Sequence, residues 1–178
     1  MKILIVYGTS EGQTRKIARF MEKILTDAGH LVTVADSSDN PPSPAGFDAV
    51  LIGGSIHIGK YQSAVTHYIR THLQDLKKLH CAFFSVCMAV ASKMQEEHQE
   101  AEKITHDYLV KTGWKPTMVT QIAGALKYTE YDYFKRLIMK MISKKEGGST
   151  DTSRDHEYTD WNAVEKFVLD FVRVKVKV

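Results

Sequence analysis

The chain has 178 residues, 43% of them hydrophobic and 25% charged, with 11 Gly, 4 Pro and 2 Cys. That is the length and composition of one ordinary globular domain, and it excludes a disordered chain, a small disulfide scaffold and a repeat array. A net charge of +3 permits an anionic ligand, an anionic membrane surface or nucleic acid but requires none of them, and no nucleic-acid partner is implied.

Lys2 to Tyr7 is a short run of Ile, Leu and Val, the pattern of a strand buried on both faces. The run is too short for a signal-peptide core, and no stretch of 18 apolar residues occurs, so a cytosolic protein is expected. Gly8-Thr9-Ser10-Glu11-Gly12-Gln13-Thr14 is a polar loop with two glycines. Residues 15–28 follow a helical period, with Ile17, Phe20, Met21, Ile24 and Leu25 on one face and Gly29 as the stop. Leu31 to Ala35 is a second strand, and the Pro- and Ser-rich stretch Asp36 to Gly46 is loop.

Asp48 to Gly54 is a third, nearly all-apolar strand. The loop Ser55-Ile56-His57-Ile58-Gly59-Lys60-Tyr61 leads into a helix near residues 62–75. Cys81 to Cys87 is a fourth strand; its two cysteines would lie roughly 20 Å apart, beyond disulfide reach. Ser92-x-x-Gln95 has the form of a capping box for a helix that runs to Thr112 and closes at Gly113. Met118 to Ala123 is a fifth strand. Trp161 to Val172 is a last helix with Asp160 or Thr159 as its cap. Scattered histidines and the absence of HExxH or paired CxxC spacing predict no metal site.

Alternating strands and helices predict a parallel sheet covered on both faces. Residues 125–159 do not fit that rhythm, and a connection so long is usually functional or carries structure of its own. Ligands of such sheets bind at the carboxyl ends of the strands. The first of these loops is neither GxGxxG nor a Walker loop. It offers hydroxyls at Thr9, Ser10 and Thr14 and the amides that open a helix, which suits a terminal phosphate; a plain strand-to-helix turn is the alternative.

Thr9-Ser10-Glu11-Gly12-Gln13-Thr14 after a first strand resembles the FMN-phosphate loop of flavodoxin-like proteins. Glu11 departs from the hydroxyl residue usual there. A carboxylate repels phosphate, so Glu11 is expected to point outward while its amide faces the ligand. The same departure is shared by the menaquinone-dependent protoporphyrinogen oxidases of bacterial heme synthesis, and the resemblance to that family runs along nearly the whole chain. It is carried by Gly12-Gln13-Thr14-Arg15, Ile52-Gly53-Gly54-Ser55-Ile56, Tyr61-x-Ser63-Ala64 and Phe83-Phe84-Ser85-Val86. It continues through Ile122-Ala123-Gly124-Ala125-Leu126-x-Tyr128, Met139-Lys140-Met141, Gly147-Gly148-x-Thr150-Asp151-Thr152 and Tyr158-Thr159-Asp160-Trp161.

The resemblance implies one flavodoxin-like α/β domain over residues 1–178. Its five-stranded parallel sheet has the order 2-1-3-4-5, and 125–159 form a family-type insertion. It implies noncovalent FMN and FMN-dependent oxidation of protoporphyrinogen IX to protoporphyrin IX. Electrons would pass to a membrane quinone, menaquinone or ubiquinone, at the cytoplasmic face of the inner membrane. The flavin carries the redox chemistry and the protein supplies orientation and electrostatics.

Carried onto this sequence, the cofactor site takes in Thr9 to Thr14, then Ser55, Ile56, His57, Gly59, Lys60 and Tyr61. It also takes in Ser85, Val86, Cys87, Met88 and Ala89, and Gly124, Ala125 and Leu126. His57 and Tyr61 would stack or hydrogen-bond at the flavin, or His57 is a solvated loop histidine. Lys60 would stabilise the anionic reduced flavin, or is a solvated lysine; His57 and Lys60 are the weak catalytic candidates. Gly59 suits a positive-φ turn close to the ring. Cys87 is a flavin contact or a small buried hydrophobe. No aromatic follows strand four, which leaves the flavin face open for a bulky substrate.

Tyr128, Tyr131, Tyr133 and Phe134 would cover a flat tetrapyrrole or form the insertion's own core. In residues 133–145, Phe134, Leu137, Ile138, Met141 and Ile142 share a helical face opposite Lys135, Arg136, Lys140 and Lys144. Such a helix suits an anionic membrane surface or porphyrin propionates, or packs on its own domain. Two other functions stand beside the oxidase: a flavodoxin-like NAD(P)H:quinone reductase, for which no nicotinamide motif is found, and an electron-carrier flavodoxin, usually strongly acidic where this chain is not.

Overall fold

The computed structural model describes residues 1–126 and 156–174. Its main sheet is built from β1 (Lys2–Gly8), β2 (Leu31–Asp36), β3 (Ala49–Ser55), β4 (His80–Cys87) and β5 (Met118–Ala123). All four pairings are parallel, in the order β2-β1-β3-β4-β5. β1, β3 and β4 are apolar almost throughout because they are central and covered on both faces, while β2 and β5 are edges and are less completely buried. The register Ile5↔Leu51 and Leu51↔Ala82 aligns the strand ends, so the loops after β1, β3 and β4 emerge at one rim.

The two-residue period of the strands sorts their side chains into two cores. Ile3, Ile5, Leu51 and Phe84 pack against α1 (Gln13–Asp27) and the last helix, α5 (Trp161–Arg173), through Ile17, Met21, Leu25, Val168 and Phe171. Leu4, Val6, Ile52 and Phe83 pack against α2 (Ser63–Thr71), α3 (Leu73–Leu76) and α4 (Gln95–Thr112) through Val65, Ile69, Leu76 and Tyr108. Gly53 is required by this packing: a Cβ there would lie 2.0 Å from the Phe84 ring.

Several boundaries differ from expectation. The helix expected over 62–75 breaks at His72, whose φ of −105° and ψ of 18° leave the helical region, and beyond it α3 carries Leu76 into the core. The capping box expected at Ser92 does not form. Met88–Ala91 make a 3-10 turn, and the Ser92 hydroxyl accepts from the Met94 amide at 3.1 Å, closing a local turn before α4 starts. Gly113 ends α4 at φ 69°, and Asp160 caps α5 by accepting from the Ala163 amide at 3.0 Å, both as expected.

Beyond the main sheet, β6 (Ala125–Leu126) pairs antiparallel with β7 (His156–Glu157). Tyr128, Tyr131, Tyr133, Phe134, Lys135, Arg136, Lys140 and the helix expected over 133–145 lie outside the described residues, as does the 147–152 motif. Among the described residues no helix is long and apolar enough to cross a membrane.

Candidate functional site

The carboxyl ends of β1, β3, β4 and β5 surround a cleft of about 370 Å³. It lies between β1 and β3, whose following helices α1 and α2 pack on opposite faces of the sheet, the place where an open α/β sheet leaves a crevice.

The first wall is the loop between β1 and α1, with Thr9, Ser10, Glu11, Gln13 and Thr14 lining the cleft. Gly12 turns the chain at φ 89°, a conformation costly for any residue with a Cβ, and its amide donates to Thr9 Oγ1 at 2.8 Å. α1 then begins with no side-chain cap on its opening amides. Thr14 is fully buried, and its Oγ1 has no partner among the described residues. A buried hydroxyl left unpaired is costly unless a ligand completes it.

Glu11 corrects an expectation. It does not turn out into solvent: one carboxylate oxygen is buried and the residue lines the cleft.

The second wall is Ser55, Ile56, His57, Ile58 and Gly59. His57 and Lys60 exchange backbone hydrogen bonds, His57 N to Lys60 O at 2.8 Å and Lys60 N to His57 O at 3.1 Å. Ile58 and Gly59 between them have φ of 49° and 72°, so the turn is of the primed kind that needs two left-handed residues. Gly59 meets that demand at no cost, as expected. Ile58 does not, and this strained, exposed β-branched residue sits at the mouth of the cleft.

The third wall is Val86 and Cys87 at the end of β4 with Met88 and Ala89 of the 3-10 turn, and no aromatic stands there. Gly124 and Ala125 close the far side. Burial pushes the Cys87 thiol above its usual range, and the charges of Glu100 and Glu97 push it further. Those two carboxylates, with Ala101 and Ile104, line the cleft from α4, and sequence reasoning missed all four. Their i, i+3, i+4, i+7 spacing, one helix face, was the available signal.

Five predicted residues are not in the lining: Gly12, Lys60, Tyr61, Ser85 and Leu126. Tyr61 and Ser85 are corrections. The turn at Ile58–Gly59 reverses the chain, so Tyr61 lands beneath the sheet rim, with its ring 4.4 Å from Tyr108 and 5.3 Å from Phe83. Its hydroxyl donates to Ser85 Oγ at 2.8 Å and lies 2.7 Å from Thr105 Oγ1, which also accepts from Gln121 Nε2 at 2.7 Å. Burial raises the Tyr61 phenol to about 12, although the bonds to Ser85 and Thr105 oppose the shift. Tyr61 is a neutral support of the rim. Leu126 stands in β6, paired with His156.

The charged side chains among the described lining residues are Glu11, Glu97 and Glu100. An anion bound by this loop is therefore held by neutral hydroxyls and helix amides, as at other helix N-termini.

A flavodoxin-domain model matches residues 4–153. The chain is 34% identical to the protoporphyrinogen IX dehydrogenase (quinone) of Escherichia coli strain K12, over 99% of this chain and 98% of that one. It is also 34% identical to the protein of that name from Leishmania major, over 99% of this chain and 77% of that one. In fold it is similar to oxidised flavodoxin 1 from Bacillus cereus, with a TM-score of 0.57 at 13% identity, covering 99% of this chain and 100% of that one.

Proposed function

For a chain that belongs to the flavodoxin-domain family, and within it to the protoporphyrinogen IX dehydrogenases (quinone), we propose the FMN-dependent oxidation of protoporphyrinogen IX to protoporphyrin IX with a quinone as acceptor. The observation that carries the reading is the end-to-end match to relatives of that name. The cleft supports it: the unpartnered Thr14 hydroxyl and the uncapped start of α1 suit the cofactor's phosphate.

FMN supplies two-electron redox chemistry, as acceptor for the substrate and donor to the quinone. Thr9, Ser10 and Thr14, with the opening amides of α1, would hold the phosphate. Backbone at 55–59, 86–89 and 124–125, which lines the cleft, would flank the ring. With no aromatic after β4, the small residues Cys87 and Ala89 leave room for a flat, bulky substrate. His57, Glu97 and Glu100 line the cleft and would take the protons released as the substrate loses hydrogen from its N–H and bridging C–H bonds. Lys60 stands outside the lining as an exposed charge at the mouth.

The quinone is menaquinone in this reading, and the chain works at an anionic membrane surface, in the cytoplasm at the inner membrane. The sequence of 133–145 supports the membrane reading, since on a helical period Lys135, Arg136, Lys140 and Lys144 would fall largely opposite five apolar residues. Tyr128, Tyr131 and Phe134 are assigned to the substrate on the same ground.

The test is anaerobic mixing of FMN-loaded protein with protoporphyrinogen IX, followed by a menaquinone analogue. Flavin absorbance is expected to bleach on the first addition and return on the second. Bleaching by NADPH but not by protoporphyrinogen would replace this reading with the quinone reductase. Flotation with anionic but not neutral vesicles tests the membrane assignment.

A further inference from the structure

Gln62 precedes the first turn of α2 and does not line the cleft, yet its side-chain amide touches two of the walls. Its Oε1 accepts from the Ser55 backbone N–H at 3.2 Å. Its Nε2 donates to Ser55 Oγ at 2.7 Å and to Ser10 Oγ at 3.1 Å. A backbone N–H can only donate, so the atom facing it is the amide oxygen and the orientation of the amide is determined. Both amide hydrogens are then spent on serine hydroxyls.

A hydroxyl carries one hydrogen. With its oxygen accepting from Gln62, that hydrogen turns away, and both Ser10 and Ser55 line the cleft. Thr9 is treated alike, its Oγ1 accepting from the Gly12 amide. The hydroxyls of this rim are thereby set as donors, the polarity an anion needs. Two glycines make room for the arrangement: a Cβ on Gly8 would lie 2.4 Å from Val65 Cγ2 and 3.1 Å from Gln62 Oε1, and one on Gly54 2.8 Å from Tyr61 Cδ1.

We infer that Gln62 is a positioning residue for FMN, whose amide sets the Ser10 hydroxyl as a donor to the phosphate and ties the loop after β1 to the loop after β3. The inference rests on the FMN reading above. Gln62 acts through Ser10 and touches no ligand itself.

The test uses Gln62→Glu in the full chain. The new side chain has the same shape and still accepts from Ser55 N, but it gives no hydrogen, so the serine hydroxyls donate inward to it. Affinities of the apoprotein for FMN and for riboflavin, which lacks the phosphate, are measured by fluorescence quenching beside thermal unfolding. FMN affinity is expected to fall roughly tenfold more than riboflavin affinity, with little change in Tm. Ser10→Ala reproduces the phosphate-selective loss, and Gln62→Glu costs less in the Ser10→Ala background. If Gln62→Glu does not fold, Gln62→Met, uncharged and of similar length, gives a smaller loss with the same selectivity. Equal losses for the two flavins, or no loss, overturn the inference while leaving the FMN reading intact. A wild-type chain that binds neither flavin overturns both, before any variant is made.

Discussion

The Gln13 side-chain amide donates to the Thr159 hydroxyl at 2.9 Å, and that hydroxyl donates to the Ala123 carbonyl at 2.7 Å. One relay thus joins the start of α1, the end of β5 and the segment between β7 and α5. A second tie runs beside it. Glu157 pairs with Lys16 and accepts from Trp161 Nε1 at 2.8 Å, and the Lys16 ammonium lies 5.3 Å from the centroid of the Trp161 ring. The wall of the cleft formed by the loop between β1 and α1 is therefore fastened to β7 and the segment after it.

This fastening predicts a pH dependence. Burial works against ionisation of Glu157, but the bonds from Lys16, Trp161 and Gln13 outweigh it and hold the carboxyl below its usual range. A lowered folded-state pKa gives stability that is present above the unfolded value, about 4.3, and is lost as pH falls through the folded one. Glu157→Gln should therefore cost under about 1 kcal/mol at neutral pH, since the pair is partly exposed, and the difference from wild type should vanish in acid. Urea unfolding at a series of pH values checks this; a difference that grows toward low pH contradicts it.

Thr14 should trade stability against binding. Its buried hydroxyl lacks a partner among the described residues, so Thr14→Val removes a group that costs the apoprotein. The variant should be more stable by about 1 kcal/mol without cofactor, and bind FMN roughly tenfold more weakly. Thermal unfolding of the apoprotein and a flavin titration read the two effects separately. A variant weakened in both marks Thr14 as an ordinary core residue.

The two cysteines should differ in reactivity. Cys81 is buried, and desolvation raises its thiol to about 12. Cys87 lines the cleft, half-buried, and its thiol is raised by burial and then by Glu100 and Glu97. Because the thiolate is the reactive form, a disulfide reagent should label one thiol slowly at neutral pH and faster as pH rises. Cys87→Ser should abolish the labelling, and FMN should suppress it. Labelling indifferent to FMN would move the cofactor away from β4.

Much of the frame was legible because burial on both faces leaves a plain mark: the apolar runs of β1, β3 and β4 have no other soluble use. β6 and β7, two residues each, leave none. The hydroxyls of Thr9, Ser10 and Thr14 at one wall of the cleft were legible because they are local to one turn. Tyr61 misled because a primed turn at Ile58, a residue that disfavours it, was invisible, and the reversal there carries the ring away from the cleft. Its actual hydrogen-bond partners, Ser85 and Thr105, come from β4 and α4. Gln62 was overlooked for the same reason: its bonds to Ser10 and Ser55 exist only once β1 and β3 are neighbours.

The measurement that decides the reaction is anaerobic protoporphyrin fluorescence from protoporphyrinogen IX, with and without FMN and with and without a menaquinone analogue. Sustained fluorescence growth that needs both additions is the expected result. Protein that visibly binds FMN and yields no protoporphyrin contradicts the assigned reaction and leaves a quinone reductase or an electron carrier on the same fold.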